Sequence, residues 1–164
     1  MLSYDKRGVG SSSGDWLDST LDDLAADATA ALRFLCAQPE VRAGTAGLLG
    51  HSEGGWVVLR AAAGRDDVPW VITSGCPGLT PAAQERHALA GVLRRAGEQD
   101  AGSMLALFDR LVGAGRHDGD FAEAARIVSS APPSRAFLDY WSDMDERLWE
   151  FLKRIQVSLV PDGK

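Results

Sequence analysis

The chain has 164 residues, 45% of them apolar, and 17 Lys and Arg against 23 Asp and Glu give a formal net charge of -6. That length allows one domain with a sizeable core, and dispersed basic residues in an acidic chain exclude a stripe able to neutralise nucleic-acid phosphates. There is no apolar run of membrane-spanning length and no signal-peptide pattern. Cys36 and Cys76 lack C-x-x-C or metal-ligand spacing, so a soluble cytoplasmic protein with no membrane partner, metal or cofactor and two reduced, packed thiols is expected.

In chain order, Met1-Leu2-Ser3-Tyr4 is a short apolar segment that reads as a strand, followed by the glycine-punctuated loop Asp5 to Trp16. The loop glycines read G-x-G-x-x-x-G and no helix opens at the third, which departs from the dinucleotide fingerprint. Thr20-Leu21-Asp22-Asp23 places a hydroxyl cap before two carboxylates, close to a capping box, and starts a helix. Its apolar face runs Leu21, Leu24, Ala28, Ala31, Leu32, Leu35, and Gln38-Pro39 closes it.

Ala46-Gly47-Leu48-Leu49 then runs as a strand into Gly50-His51-Ser52-Glu53-Gly54, and a helix follows from about Gly54 to Ala63. Strand, G-x-S-x-G turn and helix in immediate succession are what a nucleophile elbow requires, because the serine must sit in a sharp, strained turn with its hydroxyl exposed. Glycine two residues to either side of Ser52, at Gly50 and Gly54, lets strand and helix backbones approach. The backbone N–H of Glu53 would face a developing oxyanion. A second match, Gly10-Ser11-Ser12-Ser13-Gly14, is followed by Asp15-Trp16 instead of a helix and reads as a loop.

Trp70-Val71-Ile72-Thr73 reads as a further strand, broken by Gly75-Cys76-Pro77-Gly78. Alternating strands and helices over some 75 residues indicate crossover units building a parallel sheet, which binds ligands at the carboxyl ends of its strands. From Pro81 the pattern turns helical: Ala82 to Arg95, Gly102 to Val112, Phe121 to Val128 and Phe137 to Leu152. Its aromatic residues are expected to be packing core, with a lid over Ser52 as the functional alternative. Ile155 to Val160 alternates apolar and polar residues and reads as a last strand.

Tyr4-Asp5-Lys6-Arg7-Gly8-Val9-Gly10-Ser11-Ser12, Asp27-Ala28 with Ala31 to Leu35, Gly47 to Gly55, Trp70-Val71-Ile72 and Gly78 together resemble the α/β-hydrolase superfamily, within it the serine-aminopeptidase-like and dipeptidyl-peptidase-related bacterial hydrolases. The resemblance implies a partial α/β-hydrolase fold with a mostly parallel sheet of about four strands. On it, 1–80 is a partial core carrying the elbow, 81–152 a helical cap, and 153–164 a return strand. The substrate implied is a small ester, amide or peptide, attacked by Ser52 to give an acyl-enzyme. The resemblance also implies that the chain is a fragment lacking the first three strands, the acid and the catalytic histidine, and hence inactive or nearly so.

The residues present offer poor substitutes. His51 belongs to the elbow, His87 and His117 lie in the helical block, Asp162 is a weak stand-in for the acid, and Glu53 braces the turn. His117-Asp118-Gly119-Asp120 reads as a solvated loop. The rival expectation is a catalytically dead binding module whose helical block holds a partner or apolar ligand.

Overall fold

The computed structural model describes residues 1–76 and 78–157. They form a mixed α/β structure of seven helices and one two-stranded parallel sheet, and the chain divides into two compact units, Met1–Gly78 and Leu79–Lys164.

The first unit contains α1 (Leu21–Cys36), β1 (Leu48–His51), α2 (Glu53–Ala62) and β2 (Val71–Ser74). The capping box forms as expected. The Thr20 hydroxyl accepts from the Asp23 N–H, the Asp23 carboxylate accepts from the Thr20 N–H and Oγ1, and these bonds hold the carboxyl below its ordinary value. Leu21, Leu24, Ala25, Ala28 and Leu32 are buried, so the apolar stripe predicted from spacing faces the core, where α1 packs on α2, whose Val57, Val58 and Ala61 are buried as well.

β1 and β2 pair in parallel through Leu48↔Val71, Leu49↔Ile72, Gly50↔Thr73 and His51↔Ser74. Parallel strands ordinarily have both faces covered. Here Leu48 and Gly50 are buried on one face, with Val71 half-buried and Thr73 exposed beside them, and on the other the paired Leu49 and Ile72 are 64% and 51% exposed. About four strands were expected, and two are present among the described residues. Met1–Tyr4 has no strand geometry and joins neither edge of the sheet; Met1, Leu2 and Tyr4 are exposed, so pairing there gains no apolar burial.

The second unit holds α3 (Pro81–Arg95), α4 (Ala101–Arg116), α5 (Phe121–Ser129), α6 (Arg135–Trp141) and α7 (Glu146–Val157). Thr80, Asp100, Asp120 and Ser134 each cap a helix by accepting the N–H three residues on, which satisfies one otherwise orphaned donor per helix. The core packs Leu89, Leu93, Leu107, Phe108, Phe137 and Trp149. Buried Trp149 donates its indole N–H to the Gly119 carbonyl at 2.9 Å.

Two expectations for this unit need correction. The single helix Phe137 to Leu152 is two, because Asp145 accepts from the Leu148 N–H and begins a helix anew, as a short polar side chain competing with the backbone does. Residues 155–157, read as the start of a return strand, continue α7 in the second unit. Phe151 and Ile155, one turn apart, are both buried, and adding a residue to a formed helix is easier than nucleating a new element. The remainder of that predicted strand, with Asp162, lies outside the described residues.

Leu48→Ala should destabilise by about 2 kcal/mol or more, whereas Leu49→Ala should stay within about 0.5 kcal/mol; urea titration of both variants checks the one-sided sheet. Asp23 has a lowered folded pKa, so its contribution is present above its unfolded value near 4 and is lost as pH falls through the folded value. Unfolding titrations between pH 2 and 6 should show that part of the slope disappearing in Asp23→Asn.

Candidate functional site

Ser52 stands between the last residue of β1 and the first of α2, with φ 51° and ψ -120°. It and Asp118 are the non-glycine residues with positive φ among those described. A serine in this region carries roughly 1–3 kcal/mol of strain and persists only where its surroundings fix it. They do so from both sides: Ser52 donates its N–H to the Ser74 carbonyl and accepts at its own carbonyl from the Gly55 N–H, each at 2.9 Å.

The glycines of the elbow divide by role. A Cβ at Gly50 would overlap the Gly54 carbonyl, and one at Gly55 would overlap the Cys76 side chain, whereas one at Gly54 would meet nothing within 4 Å. The close approach expected from Gly50 is present. Its counterpart on the helix side is Gly55, because a helical residue one position on turns a different face to the strand.

Ser52 is exposed, and among the described residues its hydroxyl has no hydrogen-bond partner. Glu53 is the first residue of α2, so its N–H has no intrahelical acceptor and lies at the positive end of the helix dipole. A cavity of about 370 Å³ opens here, bordered by Tyr4, Lys6, Asp27, Ser52, Glu53 and Val57.

The loop before α1 builds the other wall. Arg7 grips Asp27 with two parallel bonds of 2.7 Å and also donates to the Ser19 hydroxyl and the Asp23 carbonyl. This planar fork raises the Arg7 pKa still further and fixes the loop to α1. Lys6 reaches the elbow itself, 2.6 Å from Glu53 Oε1 and 4.3 Å from the centre of the Trp16 ring. Glu53 therefore braces the turn, as expected. Burial, and secondarily the charge of Asp27, raises the Tyr4 phenol pKa, so at neutral pH it remains a donor on the cavity wall.

Among the described residues of this unit, no general base meets the serine. Its single histidine, His51, stands against Gly75, where an added Cβ would lie 3.1 Å from the imidazole Cε1. Asp27 and Glu53 are committed to Arg7 and Lys6.

In the second unit, His87 is an exposed residue of α3, and His117 sits at the end of α4 with Nδ1 2.8 Å from the Gly113 carbonyl. The loop His117 to Asp120 works structurally, Asp118 pairing with Lys153 at 2.8 Å and Asp120 capping α5. Among the described residues there is no group of side chains able to hold a metal and no helix long and apolar enough to cross a membrane. Cys76 is half-buried and packed at Gly55, but Cys36 is exposed, which corrects the expectation of two packed thiols.

Compared with protein-family models, curated proteins and solved structures, the chain matches none. Tyr4, Lys6, Arg7 and Asp27 received no role from sequence, although they fall in the segments that carry the family resemblance. A basic pair after an aromatic residue, followed by a carboxylate on the next helix, was the available signal.

Gly50→Ala should destabilise by about 3 kcal/mol, while Gly54→Ala should be neutral or stabilise by up to about 1 kcal/mol. Urea midpoints read by tryptophan fluorescence test this reversal of the motif's apparent symmetry.

Proposed function

We propose that Ser52 is the nucleophile of a serine hydrolase of the α/β-hydrolase type, acting on small ester, amide or peptide carbonyls. The observation that carries this reading is a serine held at positive φ where a parallel strand enters a helix, its hydroxyl exposed and unengaged. Strain in a serine at a strand-to-helix junction supports a functional reading, because local stability alone would select glycine there.

In the proposed reaction Ser52 Oγ attacks the carbonyl carbon while its proton passes to a histidine base. The Glu53 N–H donates to the resulting oxyanion. Collapse expels the alcohol or amine, which takes up the proton, and water attacks the acyl-enzyme to release the acid and restore the hydroxyl. The described part of the first unit offers Ser52 no base, and a positioned base contributes about 10²–10⁴-fold. By itself this chain is therefore expected to turn over very slowly. That same missing base favours the second reading, a binding module that has lost or never had catalysis.

A fluorophosphonate probe with added imidazole separates the two. Slow labelling that imidazole accelerates, that maps to Ser52 and that is absent from Ser52→Ala supports the hydrolase. Labelling equal in the Ser52→Ala variant, or none at any imidazole concentration, supports the binding module.

A further inference from the structure

The second unit contains a cavity of its own, about 280 Å³, lined by residues of α3, α4, α6 and α7 and partly open to solvent. Its walls are mostly apolar and aromatic, including Phe108, Leu111, Tyr140, Trp141 and Trp149. An apolar cavity of about 150 Å³ takes up benzene, so this one has room for a body of two fused rings. Nothing in the acyl-transfer reading uses it.

One charged side chain of α3 stands among these rings. Glu85 is half-buried, and its Oε2 accepts the Tyr140 hydroxyl at 3.1 Å. Burial first, then the Glu85 charge, raises the Tyr140 pKa far above the ordinary phenol range, so this hydroxyl remains a donor. Tyr140 supplies the one hydrogen bond that Glu85 receives among the described residues. A carboxylate offers about four acceptor positions, which leaves Glu85 able to take further donors from inside the cavity.

The remaining charges at the cavity leave the Glu85 carboxylate open to a cation. Lys153 is already shared between Asp118 at 2.8 Å and Glu150 at 3.0 Å. Asp143 adds a carboxylate, and exposed Arg116 lies in the last turn of α4, beside the negative end of that helix dipole. The ring faces of Phe108, Tyr140 and Trp141 add quadrupole attraction for a cation brought among them.

We propose that this cavity is a binding site for a small amine: an apolar, preferably aromatic body among the rings, with its ammonium on the Glu85 carboxylate. The site is independent of Ser52 and stands or falls separately from the hydrolase reading.

Calorimetric titration of the full chain with 1-naphthylmethylamine, 1-naphthylmethanol and 1-naphthoate tests it. The amine should bind saturably and about tenfold or more tighter than the alcohol, as a charged hydrogen bond implies, and tighter still than the carboxylate. Glu85→Gln should reduce amine affinity to that of the alcohol, while Ser52→Ala leaves all three unchanged. The proposal is overturned if the amine fails to bind, if naphthoate binds equally well, or if the amine's preference survives in Glu85→Gln. Because the three probes are compared on the unaltered protein, the result does not depend on the variant folding.

Discussion

The approach of the Gly50 Cα to the Gly54 carbonyl governs the first unit. With no side chain at residue 50, the strand can pass against the first turn of α2, and the chain must reverse within the single residue between them. Ser52 absorbs that reversal at φ 51°, and the bonds to Ser74 and from Gly55 hold it there. A hydroxyl presented this way needs no side-chain hydrogen bond to keep its place. It is free for chemistry because backbone contacts have taken over the structural task.

Around this turn, charge substitutes for missing hydrophobic cover. The segment before α1 forms no regular element and has little to bury, yet Arg7 and Lys6 attach it at two points, one to α1 and one to the elbow. Paired, half-buried and in Arg7's case bidentate, these contacts hold more firmly than ordinary exposed ion pairs, whose net worth is near zero to 1 kcal/mol. They also leave the cavity beside Ser52 edged by a phenol donor and paired charges.

The second unit is built on different terms. Its helices are short and individually marginal, and they are fixed by a cap at nearly every start and by a shared core of leucine and aromatic side chains. Phe137 is fully buried in that core, while Tyr140 and Trp141 are half-buried and line the partly open cavity. The expected aromatic packing is real, but it is incomplete on one side, and there Glu85 stands among the rings.

The sequence by itself determined what depends on neighbours along the chain: the capped start at Thr20, the apolar stripe of α1, the strand that runs into Ser52 and the helical character after Pro81. Capping bonds and helical periodicity act within a few residues, so they can be read from a few residues. Tertiary structure decided the rest. Leu2-Ser3-Tyr4 is apolar enough for a strand but stays exposed and joins neither edge of the sheet, Ile155 alternates like a strand but extends a stripe that α7 had already buried, and Gly54 fits the motif while Gly55 makes the contact. Each of these outcomes depends on which surface another part of the chain offers, and spacing along the sequence carries no record of that surface.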